Sequence, residues 1–154
     1  MPLNQDFVGR EYPSSDTYEV GREHIRSFAD AIGDDNPVYR DPEVARAAGH
    51  PDVLAPPTFL TVLGFRFRAD SPLADPALGL DYSRVVHGDQ SFTLHRPVHA
   101  GDVLSSVQRV ERIRSGGSNE LMTTVIDVSD AGGAPVATLR ATIVSRGTAA
   151  AKQA

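Results

Sequence analysis

Residues 58–67, TFLTVLGFRF, are apolar on nearly every side when they are drawn as a helix. Pro56 and Pro57 break the chain directly before this stretch, so a new element begins there. A helix without a polar face is buried and not laid on a surface. We therefore predict that residues 58–67 form a central helix around which the rest of the domain packs.

Two further helices are predicted before the central one. In residues 22–32 the apolar side chains recur at helical spacing, at Ile25, Phe28, Ala29 and Ile32. A shorter helix is predicted from Asp41, a good N-cap residue followed by proline, to about Ala48.

The second half of the chain is typical of antiparallel strands. β-Branched and polar residues alternate there in four runs, at residues 90–96, 103–114, 120–129 and 135–145. The loops SGGSN (115–119) and DAGGA (130–134) indicate hairpins. The order of elements predicts an α+β domain in which the sheet wraps one side of the central helix. A second subunit is the expected cover for the other side.

Composition limits the function classes. The 154 residues suit one domain, predicted at 1–147 with a disordered tail at 148–154. Without cysteine there is no thiol catalysis or cysteine-bound zinc, and a net charge of −5 argues against a nucleic-acid partner. No apolar run is long enough to span a bilayer, and MPLNQDF lacks signal-peptide character. We expect a cytoplasmic protein without membrane association.

Residues 28–45, FADAIGDDNPVYRDPEVA, resemble the signature of the MaoC-like dehydratases, which include the (R)-specific enoyl-CoA hydratases. The signature contains G-D-x-N-P, and the matching positions are Phe28, Gly33, Asp34, Asn36, Pro37, Val38 and Ala45. The flanking segments LAPPTF and HGDQSFTLHRPVHAGD are similar to the branch that includes the HadA and HadC subunits of mycobacterial (3R)-hydroxyacyl-ACP dehydratase. This resemblance implies a hot-dog fold, an acyl-thioester substrate and no cofactor.

The resemblance also implies a reaction that needs two side chains. In the family an Asp and a His five residues later hold the water that adds to, or leaves, the acyl chain. Asp34 occupies the Asp position here, but Tyr39 stands where the His belongs. A tyrosine has a pKa near 10 against about 6.5 for histidine, so it is a much poorer base at neutral pH. We expect Tyr39 to hydrogen-bond a thioester or pantetheine without replacing the imidazole.

A second departure lies before the central helix. Catalytic members carry A-H-G there, and backbone N–H groups at the helix start bind the thioester oxygen. Alignment on Ala55 puts Pro56 and Pro57 at the His and Gly positions, and proline has no N–H. The two departures predict a catalytically degenerate half that shapes the acyl channel and pairs with an Asp/His-bearing subunit.

Further substrate-binding positions are predicted at Asn36, Pro57, Thr58, His87 and His95. The two histidines are eight residues apart and share strand parity, so they lie on one face if the strand is unbroken. Either could be an alternative base or a half-buried histidine bonded to the backbone. No carboxylate sits at ligand spacing, so no metal site is expected. The segment from Asp34 to Asn36 also fits a plain helix-ending turn.

Three functions remain open at this point. The first is the degenerate subunit of a heterodimeric dehydratase. The second is a self-sufficient homodimeric (R)-specific enoyl-CoA hydratase that uses Asp34 with His87 or His95. The third is a binding module for acyl thioesters without catalysis. The sequence leaves open the acyl chain length and whether the acyl group is carried by CoA or by a carrier protein.

Overall fold

The computed structural model describes residues 1–150 of the chain. Its helices are α1 (Arg22–Ala31), α2 (Pro42–Ala47) and α3 (Val62–Arg66). Its strands are β1 (Glu11–Pro13), β2 (Tyr18–Glu19), β3 (Val85–Leu94), β4 (Val103–Gly116), β5 (Asn119–Asp130) and β6 (Pro135–Ser145). None of the helices within residues 1–150 is long and apolar enough to cross a membrane.

The strands form one antiparallel sheet in the order β1-β4-β5-β6-β3, with β2 also paired to β4. The hairpins β4–β5 and β5–β6 lie where the glycine-rich loops predicted them. β3 pairs with β6 on one side and is the last strand of the sheet, so its other side is an open edge within the described residues.

The core lies between this sheet and the segment that carries α3. Phe59, Leu60, Leu63 and Phe67 are buried. They belong to one cluster with buried residues of the inner sheet face, among them Leu104, Val128, Ala137 and Leu139. The predicted layout, a curved sheet around a central helical segment, is confirmed.

The central helix differs from the prediction in two ways. It consists of a 3₁₀ turn, Phe59–Thr61, followed by the five-residue α3, because threonines, a valine and Gly64 are weak helix formers. It is also not buried on all sides, since Phe65 is 79% exposed. The sheet covers one side of the segment and Phe28 of α1 packs on Phe59, but Phe65 and Arg66 are left exposed within the described residues.

Other boundaries also differ. The strand predicted at 90–96 runs over Val85–Leu94, and the short β1 and β2 were not predicted, because two or three residues show no alternation. The tail predicted at 148–154 does not begin at Thr148, which is buried and donates a hydrogen bond to Glu120 at 2.8 Å. Residues 151–154 lie outside the described part of the chain.

Candidate functional site

A cavity of about 390 Å³ lies where the segment before α3 meets the end of β3. Its volume is in the range of small-molecule sites. Most of its wall is apolar, and its polar side chains are those of Tyr39, His95 and Arg96. The rest of the lining is Leu54, Ala55, Pro56, Pro57, Leu60, Leu94, Pro97 and Val98.

Tyr39 is held in this wall by a short turn. The side chain of Asn36 accepts a hydrogen bond from the Val38 N–H at 3.1 Å and so caps the 3₁₀ turn Pro37–Tyr39. Tyr39 is 8% exposed, and its hydroxyl has no protein partner within residues 1–150. Burial, and then the charge of Asp34, raise the pKa of the Tyr39 phenol. The hydroxyl therefore stays protonated at neutral pH and is a hydrogen-bond donor.

Asp34 is engaged in its own turn. Its Oδ1 accepts the Asn36 N–H at 3.1 Å, and its carbonyl oxygen accepts a bond from the Arg40 guanidinium at 2.7 Å. Asp34 is not one of the residues that line the cavity, and Asn36 is exposed. The hydrogen bonds of a helix-ending turn are therefore present at the family's Asp position.

The segment before α3 has few donors to offer. Pro56 and Pro57 both line the cavity, and neither has an N–H. The Pro56 carbonyl accepts the Phe59 N–H at 2.9 Å, which removes that amide from the site. Thr58 is exposed at the start of the turn and does not line the cavity.

His95 and Arg96 follow the end of β3. Arg96 donates two hydrogen bonds to Asp102, at 2.9 and 3.1 Å, and lies 3.6 Å from Asp130, so its guanidinium is held in the turn. These contacts bend the chain out of the sheet before Pro97. His95 is left at the cavity, with its Nε2 3.3 Å from the Thr138 Oγ1.

His87 lies in a different cavity, of about 300 Å³, between α3 and the inner face of the sheet. His87 and His95 would share one face only in an unbroken strand, and this strand is not unbroken. A β-bulge between His87 and Asp89 shifts the register by one residue, which turns the rest of the strand over. Within residues 1–150 no three His, Asp or Glu side chains are grouped to hold a metal ion.

Two glutamines of the second cavity were missed from the sequence. Gln108 is buried on the inner side of β4, and its amide donates to the Phe67 carbonyl at 3.2 Å. Gln90 lines the same cavity from β3. A polar residue at an inward position of an alternating strand is the signal that could have identified Gln108. The apolar wall of the first cavity, such as Leu54 and Val98, carries no such signal.

Comparisons with known proteins agree with this geometry. A protein from Saccharopolyspora erythraea named UPF0336 protein is 53% identical over 149 residues, 97% of this chain and 95% of its own. A structure of the HadBC (3R-hydroxyacyl-ACP dehydratase) complex from Mycobacterium tuberculosis is similar at 28% identity, with a TM-score of 0.80 over 92% of this chain and 99% of that one. A MaoC-like dehydratase matches at 30% identity with a TM-score of 0.80, over 91% of this chain and 42% of that longer one.

These likenesses confirm the hot-dog fold and the resemblance to MaoC-like dehydratases that the G-D-x-N-P stretch predicted. Residues 6–139 match the family model described as "FAS1-like, dehydratase domain region". Since that match includes the Asp34 turn, the cavity and most of the sheet, the chain belongs to the FAS1-like dehydratase family.

Proposed function

We propose that this chain is the substrate-channel half of a (3R)-hydroxyacyl thioester dehydratase, or enoyl hydratase, of cytoplasmic fatty-acid metabolism. In this proposal it forms a heterodimer with a same-family subunit that keeps both the Asp and the His. The observation that carries the proposal is Tyr39, a protonated phenol in the cavity wall at the position of the family's histidine.

The chemistry of the cavity supports a binding role over a catalytic one. Adding water to an enoyl thioester requires a base near neutral pKa and a donor for the carbonyl oxygen. Burial raises the pKa of Tyr39, so the phenolate, which is the form that could act as a base, is even less populated at neutral pH. The two prolines remove amide donors from the wall where the thioester oxygen is expected. A phenol and an apolar wall suit the binding of an acyl thioester.

The surface of the molecule supports a second subunit. Phe65 is 79% exposed and borders the second cavity, which therefore opens where the central segment is uncovered. At the sheet edge, Val86 and Leu94 of β3 are each 41% exposed. Exposed apolar groups beside an open sheet edge are typical of an interface. The likeness to a chain of the HadBC complex favours a related but different subunit as the partner.

Hydration of crotonyl-CoA tests the proposal. We expect baseline activity from the isolated chain and strong activity when it is purified together with a family subunit that contains D-x-N-P-x-H. Within that complex, Asp34→Asn in this chain should change the rate by less than about threefold, because Asp34 has no imidazole beside it. The matching Asp→Asn change in the partner should abolish activity.

The other two functions predict different outcomes. Robust turnover by the isolated chain, lost in Asp34→Asn, would contradict the proposal in favour of a self-sufficient hydratase. Binding of acyl-CoA without turnover in any pairing would favour a binding module.

A further inference from the structure

On the basis of the proposed function, we propose that His95 distinguishes hydroxyacyl from unsubstituted acyl thioesters. Its Nδ1 accepts a hydrogen bond from the 3-hydroxyl of the bound acyl chain. Thr138 and Asp127 are positioning residues that favour the tautomer of the neutral ring in which Nε2 carries the hydrogen.

The argument begins with the single hydroxyl proton of Thr138. The Thr138 Oγ1 donates it to the Asp127 Oδ1 at 3.0 Å. Burial opposes ionisation of Asp127, but its hydrogen bonds with Arg109 and Thr138 outweigh burial, and the pKa of the carboxyl is lowered. Asp127 is therefore ionised at neutral pH and only accepts hydrogen bonds. The single hydroxyl proton of Thr138 is therefore used in the hydrogen bond to Asp127.

This hydrogen bond determines which tautomer of the neutral His95 ring is favoured. Its Nε2 lies 3.3 Å from the Thr138 Oγ1, a long hydrogen bond in which the oxygen is left as the acceptor. The Nε2 atom must then carry the hydrogen. A neutral imidazole has one protonated nitrogen and one with a lone pair, so in the neutral form of His95 the Nδ1 atom is an acceptor.

The position of the ring gives this acceptor access to the cavity. Thr138 and Asp127 border a shallow depression beside His95 and are not part of the cavity wall. His95 lines both the depression and the cavity. The Nε2 atom is bonded to a residue of the depression, and the Nδ1 atom has no hydrogen-bond partner within residues 1–150.

The other polar side chains of the cavity do not duplicate this function. The Tyr39 hydroxyl is protonated and suits the thioester oxygen as a donor. Arg96 is bound to Asp102 and has only donors. An acyl thioester offers a donor near the reacting carbons only when it carries the 3-hydroxyl, because the saturated and enoyl chains have none. The Nδ1 of His95 therefore favours the hydroxylated form.

Calorimetric binding of two probes to the full chain tests the inference, namely 3-hydroxybutyryl-CoA and butyryl-CoA. We expect tighter binding of the hydroxylated probe, and we expect His95→Leu to lower this preference by about 2- to 10-fold, the range of one neutral hydrogen bond. Binding of butyryl-CoA should stay within about twofold, since the saturated chain makes no such bond. Thr138→Val should lower the preference in the same direction. His87→Leu, in the other cavity, is the matched control and should leave the ratio unchanged.

The readout is a ratio, which a purely structural defect would not move. Equal weakening of both probes by His95→Leu would overturn the inference, and so would an unchanged ratio with both probes still bound. A wild-type chain that binds neither probe would also overturn the inference, whereas failure of the proposed function on which it rests would appear separately, as a complex with no hydration of crotonyl-CoA.

Discussion

The Oδ1 atom of Asp34 lies 3.1 Å from the backbone nitrogen of Asn36 and accepts its hydrogen bond. The carboxylate at the family's catalytic position is thus also part of the turn that ends α1. Two residues later, the Asn36 side chain makes the same kind of bond, because it accepts the Val38 N–H. Together the two caps place Tyr39 in the cavity wall, so the segment has a structural role that is independent of proton transfer.

Replacement of Asp34 separates these roles. Asp34→Ala removes the cap and should lower the free energy of unfolding by about 0.5–1.5 kcal/mol, whereas Asp34→Asn keeps an acceptor and should change it by less than about 0.5 kcal/mol. Urea denaturation of both variants measures the difference. Asp35→Ala, at an exposed neighbour, is the control and should be neutral. Equal stability of the Asp34→Ala variant and the wild type would contradict the structural role.

Restoring the family's histidine and amide donor should raise the activity of the isolated chain in two steps. Tyr39→His alone returns a base next to Asp34 but leaves the prolines in place, so we expect only weak hydration of crotonyl-CoA by the isolated chain. Adding Pro56→His and Pro57→Gly returns an amide donor, which should raise the rate by on the order of a hundredfold over the single variant.

Tyr39→Phe is the control for this series and should stay at baseline. The series would speak against the degenerate-half interpretation if Tyr39→His reduced an activity that the wild type already had.

Phe65 should contribute to the proposed interface. Phe65→Ser removes a large apolar side chain that is 79% exposed in the isolated chain, so we expect an unchanged thermal midpoint for this chain. Association with the partner should weaken by at least about tenfold, because a buried aromatic contact is worth roughly 1.5–3 kcal/mol. Sedimentation or titration of the two subunits measures this. Ile32→Ser, at a position 49% exposed on the end of α1, should leave association unchanged.

The ion pair between Arg22 and Asp52 should make stability depend on acid pH. The Arg22 guanidinium donates to the carboxylate at 2.7 and 2.9 Å, and this bond lowers the pKa of Asp52 from 3.8 to about 2. A carboxyl with a lowered folded-state pKa stabilises the fold above pH 4, and this stabilisation is lost as the pH falls from about 4 to about 2.

Because Arg22 is 45% exposed, solvent screens the pair, and we expect a contribution of about 1 kcal/mol. Asp52→Asn should therefore lower stability at pH 7 and have little effect at pH 2. Denaturation of both proteins across this range is the measurement. A difference that did not shrink toward pH 2 would show that the side chain acts through something other than its charge.

Much of the fold could be predicted because its signals are local. The helical spacing of Ile25, Phe28 and Ala29 predicted α1, and the glycine-rich loops predicted both long hairpins. The bulge in β3 was not predicted, because the extra residue, Gly88, changes the pairing with β6 and leaves no periodic signal. Because of this one residue, His87 and His95 lie on opposite faces of the strand.

The structure brings some of the predicted site residues together and leaves others apart. Tyr39, Pro57 and His95 do line one cavity, whereas Asp34, Asn36 and Thr58 lie outside its wall. Motif spacing identifies which residue types are present, but not which of them point into a shared volume. The hydrogen bonds from His95 to Thr138 and from Thr138 to Asp127 join three different strands or strand ends. These residues are far apart in the sequence, so no local pattern predicts the contacts.

The sequence by itself determined the family, the sheet wrapped around residues 58–67 and the loss of the histidine at Tyr39, because those depend on residue identity and short spacing. Only the tertiary structure decided the hydrogen-bond partner of His95, the separation of the two histidines and the exposure of Phe65. All three depend on contacts between residues far apart in the chain, such as the pairing of β3 with β6.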